Sequence, residues 1–90
     1  MLQTISIIVK GKVQGVYYRQ TTQEKATALG ITGTARNLPD RTVKITATGT
    51  KPQLDKLLAW CRQGPSRAEV NSIEWKEEEL RSFPDFRILR

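Results

Sequence analysis

The chain contains no histidine and a single cysteine, Cys61. Those two absences narrow its chemistry at once. A tetrahedral zinc site needs His and Cys ligands, and Ser-His-Asp or Cys-His catalysis needs an imidazole base, so neither is available. One cysteine cannot form an internal disulfide; Cys61 falls on an apolar helical stripe and reads as a small core side chain. Any catalysis must draw on carboxylates, Arg, Lys, side-chain amides, hydroxyls or the backbone. Long apolar runs are also missing: nothing approaches the roughly 18 residues that span a bilayer. Residues 5–9 are apolar-rich but lack the h-region and cleavage site of a signal peptide, and the expectation is a cytoplasmic protein with no membrane partner. Acid is scarce in the first half, where seven Lys and Arg face only Glu24 and Asp40, a balance of +5 over residues 1–50 against +1 over residues 51–90. Such a field draws in small anions or nucleic acid, and charge alone does not choose between them.

What is present suits one compact unit. At 90 residues, with 38% hydrophobic and 27% charged side chains, the chain buries roughly 60–65% of its unfolded surface in a single two-layer core. A single domain over residues 1–90 is expected. Residues 3–10 predict a strand, with Ile5, Ile7 and Val9 alternating with Ser6, Ile8 and Lys10. A helix follows over about 18–29, weakly amphipathic through Tyr18, Thr22, Ala26 and Leu29 and stopped at Gly30. A second strand over 32–38 and a third over 42–48 flank the Pro39-Asp40 turn, and Val43, Ile45 and Ala47 share one face of the third. Thr50-Lys51-Pro52-Gln53 has the form of a capping box, and Leu54, Leu57, Leu58 and Cys61 continue at helical spacing to Gly64-Pro65. Strands over 70–78, with Ile73 and Trp75 on one face, and over 84–89 complete the chain. The order β-α-β-β-α-β with a terminal strand predicts a ferredoxin-like α+β sandwich, an antiparallel sheet with two helices on one face.

The most informative segment is Gly11-Lys12-Val13-Gln14-Gly15-Val16-Tyr17-Tyr18-Arg19. It joins a strand to a helix, and the first turn of a helix leaves its amides unpaired with the dipole favouring negative charge. Arg19 adds a planar fork of donors that matches phosphate or carboxylate oxygens. The pattern implies a small anion cradle and leaves open whether the anion is held, sensed or transferred.

That segment, with Gly33-Thr34-Ala35-Arg36-Asn37 and Asp40 and then Gly64-Pro65-Ser66-Arg67-Ala68-Glu69-Val70, resembles the acylphosphatases over nearly the whole chain. The resemblance implies hydrolysis of an acyl phosphate to a carboxylate and inorganic phosphate, without a metal or other cofactor. It implies that Gln14, Gly15, Val16, Tyr17, Tyr18 and Arg19 form the phosphate-binding loop, and that Arg19 and Asn37 are catalytic, Asn37 positioning the attacking water. The chemistry suits a chain without histidine. A carboxylate of pKa about 4 departs without a general acid, and in a loose transition state the water proton passes to phosphoryl oxygens without a strong protein base. Electrostatics and positioning remain for the protein to supply. Three positions depart from the family pattern: Thr34 where a bulky residue is usual, Arg41 where glycine eases a positive-φ turn, and Tyr18 where phenylalanine is commoner.

The implied partners are a small acyl phosphate and inorganic phosphate as product and inhibitor, with the chain acting as a monomer. A basic ferredoxin-like sheet also suits a nucleic-acid-binding module, but the first and third strands carry no aromatic residue on which a base would stack. A phosphate sensor without turnover would have no use for the water-positioning Asn37. Of the remaining polar features, Gln14 is expected to shape the loop, Lys12 to be solvated, Glu77-Glu78-Glu79 to be a solvated strand end, and Trp60 and Trp75 to serve in packing.

Overall fold

A computed structural model describes residues 1–89 of the chain. Its elements run β1 (Leu2–Lys12), α1 (Tyr18–Leu29), β2 (Thr32–Asn37), β3 (Val43–Thr50), α2 (Lys51–Gln63), β4 (Glu69–Glu78) and β5 (Phe86–Leu89). The strands form one sheet in the order β4-β1-β3-β2-β5. The expected ferredoxin-like α+β fold is present, with one difference of detail. β5 lies beside β2 in parallel, Ala35 opposite Ile88, so the sheet is mixed rather than antiparallel throughout. The reason is topological: β4 and β5 occupy opposite edges, and the chain crosses the sheet between them instead of turning back on itself.

The two-residue period of the strands sets the layers. Ile5, Ile7 and Val9 of β1, Ala35 of β2 and Val43, Ile45 and Ala47 of β3 are buried on one face, in a single cluster with Tyr18, Ala26, Leu54, Leu57, Leu58 and Cys61 from the two helices. Helix α2 starts at the expected capping box: the Gln53 amide donates to Thr50 Oγ1 at 3.4 Å, and the Thr50 amide donates to Gln53 Oε1 at 2.8 Å. Gly11 ends the regular pairing of β1 with β4 at a register shift. A Cβ there would collide with the Glu69 carbonyl oxygen, so glycine lets the two strands stay in contact up to the start of the loop.

The opposite face holds a feature that alternation does not reveal. Thr4 and Thr48, on the polar side of β1 and β3, are 0% and 6% exposed. The crossover between β4 and β5 lies over them. Thr48 donates to the Arg81 carbonyl at 2.8 Å, the Arg81 amide donates to Thr4 Oγ1 at 2.9 Å, and the two hydroxyls meet at 2.6 Å. Trp75 does not pack as expected. It sits on the edge strand β4, which has one neighbour, and is 51% exposed. Trp60 does pack, half-buried, with its ring 5.4 Å from that of Tyr18. Of the acidic run, Glu77 and Glu79 are exposed, while half-buried Glu78 accepts from Ser6 at 2.9 Å.

Candidate active site

Pairing directions gather the sequence-predicted residues at one end of the sheet. β1 and β2 are both antiparallel to β3, so they run the same way, and β5 runs parallel to β2. The C-terminal ends of β1, β2 and β5 therefore lie together, and α1 begins there. An open cleft of about 720 Å³ sits at this end, lined by Val13, Gly15, Tyr17, Tyr18, Arg19, Gln20, Asn37 and Ile88.

The loop is built to leave donors free. Tyr17, immediately before α1, is in the left-handed region at φ 62°, and no side chain caps the helix. Among the described residues, the backbone amides from Gly15 to Gln20 donate to no protein acceptor. Those groups and the positive end of the α1 dipole make the loop receptive to an anion. Gly15 is at φ 75°, and a Cβ there would meet nothing within 4 Å, so glycine serves conformation rather than space. For Tyr17 the same region costs on the order of 1–3 kcal/mol, a strain of the kind that collects at functional sites.

Three side chains hold the loop in place. Gln14 Nε2 donates to the carbonyls of Leu38 and Thr42, each at 2.9 Å, tying the loop to the β2–β3 hairpin beside Asn37. The Tyr18 hydroxyl donates at 2.7 Å to the Cys61 carbonyl, one of the last-turn acceptors of α2 that has no partner in its own helix. Burial, then the nearby Cys61, raises the Tyr18 pKa, and burial pushes the Cys61 thiol up to about 12. Arg19 Nη1 donates to the Leu89 carbonyl at 2.9 Å, which steadies the half-buried guanidinium and leaves its other donors for a ligand.

Asn37 ends β2 with its side chain on the cleft wall. Its Oδ1 is buried and, among the described residues, accepts no hydrogen bond. A buried acceptor without a donor is costly, and such atoms call for a functional explanation. The hairpin beyond is a three-residue loop closed by the Leu38 amide donating to the Thr42 carbonyl and the Arg41 amide to the Leu38 carbonyl. Arg41 takes the left-handed position at φ 72°, so the departure from glycine is met by backbone strain rather than by a different turn. The Thr42 hydroxyl and amide both donate to Asp40 Oδ1, and these bonds hold the Asp40 carboxyl below its usual range.

The structure thus brings Gly15, Tyr17, Tyr18, Arg19 and Asn37 to one cleft. Gln14 is a tether beside it, and Val16 is buried beneath. Sequence reasoning missed Val13, Gln20 and Ile88. Ile88 lies in a strand far along the chain, and its alternation signals burial without saying against what. Among the described residues no group of three or more His, Cys, Asp or Glu side chains comes together, and no helix is long and apolar enough to cross a membrane.

The fold and site define a ferredoxin-like α+β domain with an anion-receptive cleft at one end of its sheet. The chain belongs to the acylphosphatase family, whose model matches residues 5–88. An acylphosphatase of Acaryochloris marina is 48% identical over 86 residues, covering 96% of this chain and 92% of that protein. Among solved structures, an acylphosphatase from Coxiella burnetii matches with a TM-score of 0.95 at 34% identity, covering 98% of this chain and 93% of that one. The acylphosphatase of Bacillus subtilis matches over 100% of both chains with a TM-score of 0.94 at 31% identity.

Proposed function

We infer that this chain hydrolyses the carboxyl–phosphate bond of acyl phosphates, releasing a carboxylate and inorganic phosphate. Family membership supports the activity, and one observation carries the mechanism: Asn37, whose buried Oδ1 accepts no hydrogen bond among the described residues, lines the same cleft as Arg19 and the loop residues Gly15, Tyr17 and Tyr18. The amides of the 14–19 loop and the Arg19 guanidinium bind the phosphoryl oxygens and stabilise their charge in the transition state. The Asn37 side-chain amide holds a water by hydrogen bonding, with the water lone pair in line with phosphorus. The new bond forms from the water oxygen to phosphorus, and the phosphorus–acyl oxygen bond breaks with its electron pair leaving on the carboxylate. The water proton passes to a phosphoryl oxygen. Gln14 is a positioning residue in this scheme: it fixes the loop against the hairpin that carries Asn37. The enzyme is read as a monomeric, single-domain protein, and a buried free thiol suits a cytoplasmic location.

Phosphate release from an acyl phosphate tests the assignment. Arg19→Ala is expected to cut turnover on the order of 10²-fold or more and to weaken inhibition by inorganic phosphate. Arg19→Lys restores little, because a point charge does not reproduce the fork. Asn37→Ala lowers kcat by a comparable factor with phosphate affinity nearly unchanged, since its partner is the water. Wild-type kcat in Asn37→Ala would reduce that residue to a strand end.

A further inference from the structure

We propose that the Tyr17 side chain is the platform for the acyl part of the substrate, and that with Ile88 it selects acyl phosphates bearing an aromatic or extended apolar group. The proposal rests on the phosphate-cradle reading of the same cleft. Size is the first argument. At about 30 Å³ per water, a cleft of 720 Å³ holds more than twenty waters, several times what a phosphoryl group displaces. The lining is also divided by chemistry. Gly15, Arg19 and Asn37 supply the groups assigned to phosphate and water, whereas exposed Tyr17 and half-buried Ile88 supply aromatic and apolar surface. Among the described residues, Arg19 is the one charged side chain in the lining, and it is assigned to the phosphate.

The second argument is the contrast between two adjacent tyrosines. Tyr18 is 1% exposed, and its hydroxyl is bonded to the Cys61 carbonyl. Its ring and its polar tip both serve the core. Tyr17 is 69% exposed, and its hydroxyl makes no hydrogen bond among the described residues. It nonetheless occupies a left-handed position where glycine would be unstrained. The ring contributes little burial to the fold while its backbone is held in a costly conformation. That conformation turns the side chain outward at the rim of the cleft, beside the phosphate donors. An exposed ring presents a face on which an aromatic acyl group stacks in offset or edge-on geometry.

The experiment compares kcat/KM for benzoyl phosphate and acetyl phosphate. Taking the ratio of the two in each variant cancels their unequal intrinsic reactivity. Tyr17→Ala is expected to lower the benzoyl-to-acetyl ratio about three- to tenfold relative to wild type. Tyr17→Phe, which keeps the ring, should hold the ratio within about twofold. An unchanged ratio in Tyr17→Ala, with wild type hydrolysing both substrates, overturns the platform and leaves the acylphosphatase reading intact. Hydrolysis of neither by wild type overturns that reading and the platform with it. A second measurement needs no variant: benzylphosphonate should inhibit wild type about threefold or more tightly than methylphosphonate, and equal inhibition overturns the proposal.

Discussion

Among the described residues two non-glycine residues, Tyr17 and Arg41, sit at positive φ, and their surroundings give the strain different meanings. Tyr17 precedes a helix at the cleft, where the left-handed turn frees amides for a ligand. Arg41 closes a hairpin loop with an exposed side chain and, among the described residues, no ion pair. Its strain has no evident use. Arg41→Gly is therefore expected to stabilise the fold by about 0.5–1 kcal/mol, the relief of the left-handed backbone exceeding the added freedom of glycine in the unfolded chain. Urea unfolding checks the sign. A lower midpoint would mean that the Arg41 side chain makes a stabilising contact in solution.

At the scale of elements, the start of α1 and the end of α2 are fastened by one hydrogen bond, from the Tyr18 hydroxyl to the Cys61 carbonyl. It satisfies an orphan helix-end acceptor and a buried hydroxyl together, and the Tyr18 and Trp60 rings meet beside it. A phenylalanine at position 18 would keep the ring and lose the bond. Tyr18→Phe should cost about 1–2 kcal/mol, because the Cys61 carbonyl would stay buried without a donor. In a domain of this size that corresponds to a fall in Tm of roughly 4–8 °C per kcal/mol. An unchanged Tm would show that water reaches the Cys61 carbonyl once the hydroxyl is gone. The crossover between β4 and β5 works in a similar way on the other face, where backbone groups of Arg81 satisfy hydroxyls that the sheet alone would expose.

At the scale of the molecule, positive charge and site occupy the same end. Lys12 ends β1, Arg19 lines the cleft, Arg36 adjoins Asn37 and Arg41 closes the hairpin to which Gln14 ties the loop. None of the four forms an ion pair among the described residues, whereas Lys10, Lys51, Lys76 and Arg87 each pair with an acid. The field at the cleft is then positive and solvent-screened, and it enriches anionic substrate. kcat/KM for an acyl phosphate should fall at least about twofold as salt is raised from about 20 to 200 mM, with the change mainly in KM. A salt-independent kcat/KM, measured with a non-binding anion such as chloride, would leave the +5 balance of the first 50 residues without a role in capture.

Local pattern accounts for what the sequence determined by itself. Alternation at Ile5, Ile7 and Val9 and at Val43, Ile45 and Ala47 marked the core face of β1 and β3, and Thr50 with Gln53 marked the start of α2, because those signals depend on neighbours within a few residues. The loop from Gln14 to Arg19 was legible for the same reason: strand, glycine and helix start are contiguous. The family pattern added Asn37 and marked Arg41 as a departure, open between a different turn and a strained one. What only the tertiary structure decided depends on pairing between distant segments. The parallel placement of β5 brought Ile88 to the cleft and the Leu89 carbonyl to Arg19. The crossover buried Thr4 and Thr48 on a face that alternation leaves open to water, and the edge position of β4 left Trp75 exposed. The sequence named the groups proposed to hold a phosphate, and the shared direction of β1, β2 and β5 placed them, because strand pairing sets which ends meet and no residue's local preference encodes its distant partner.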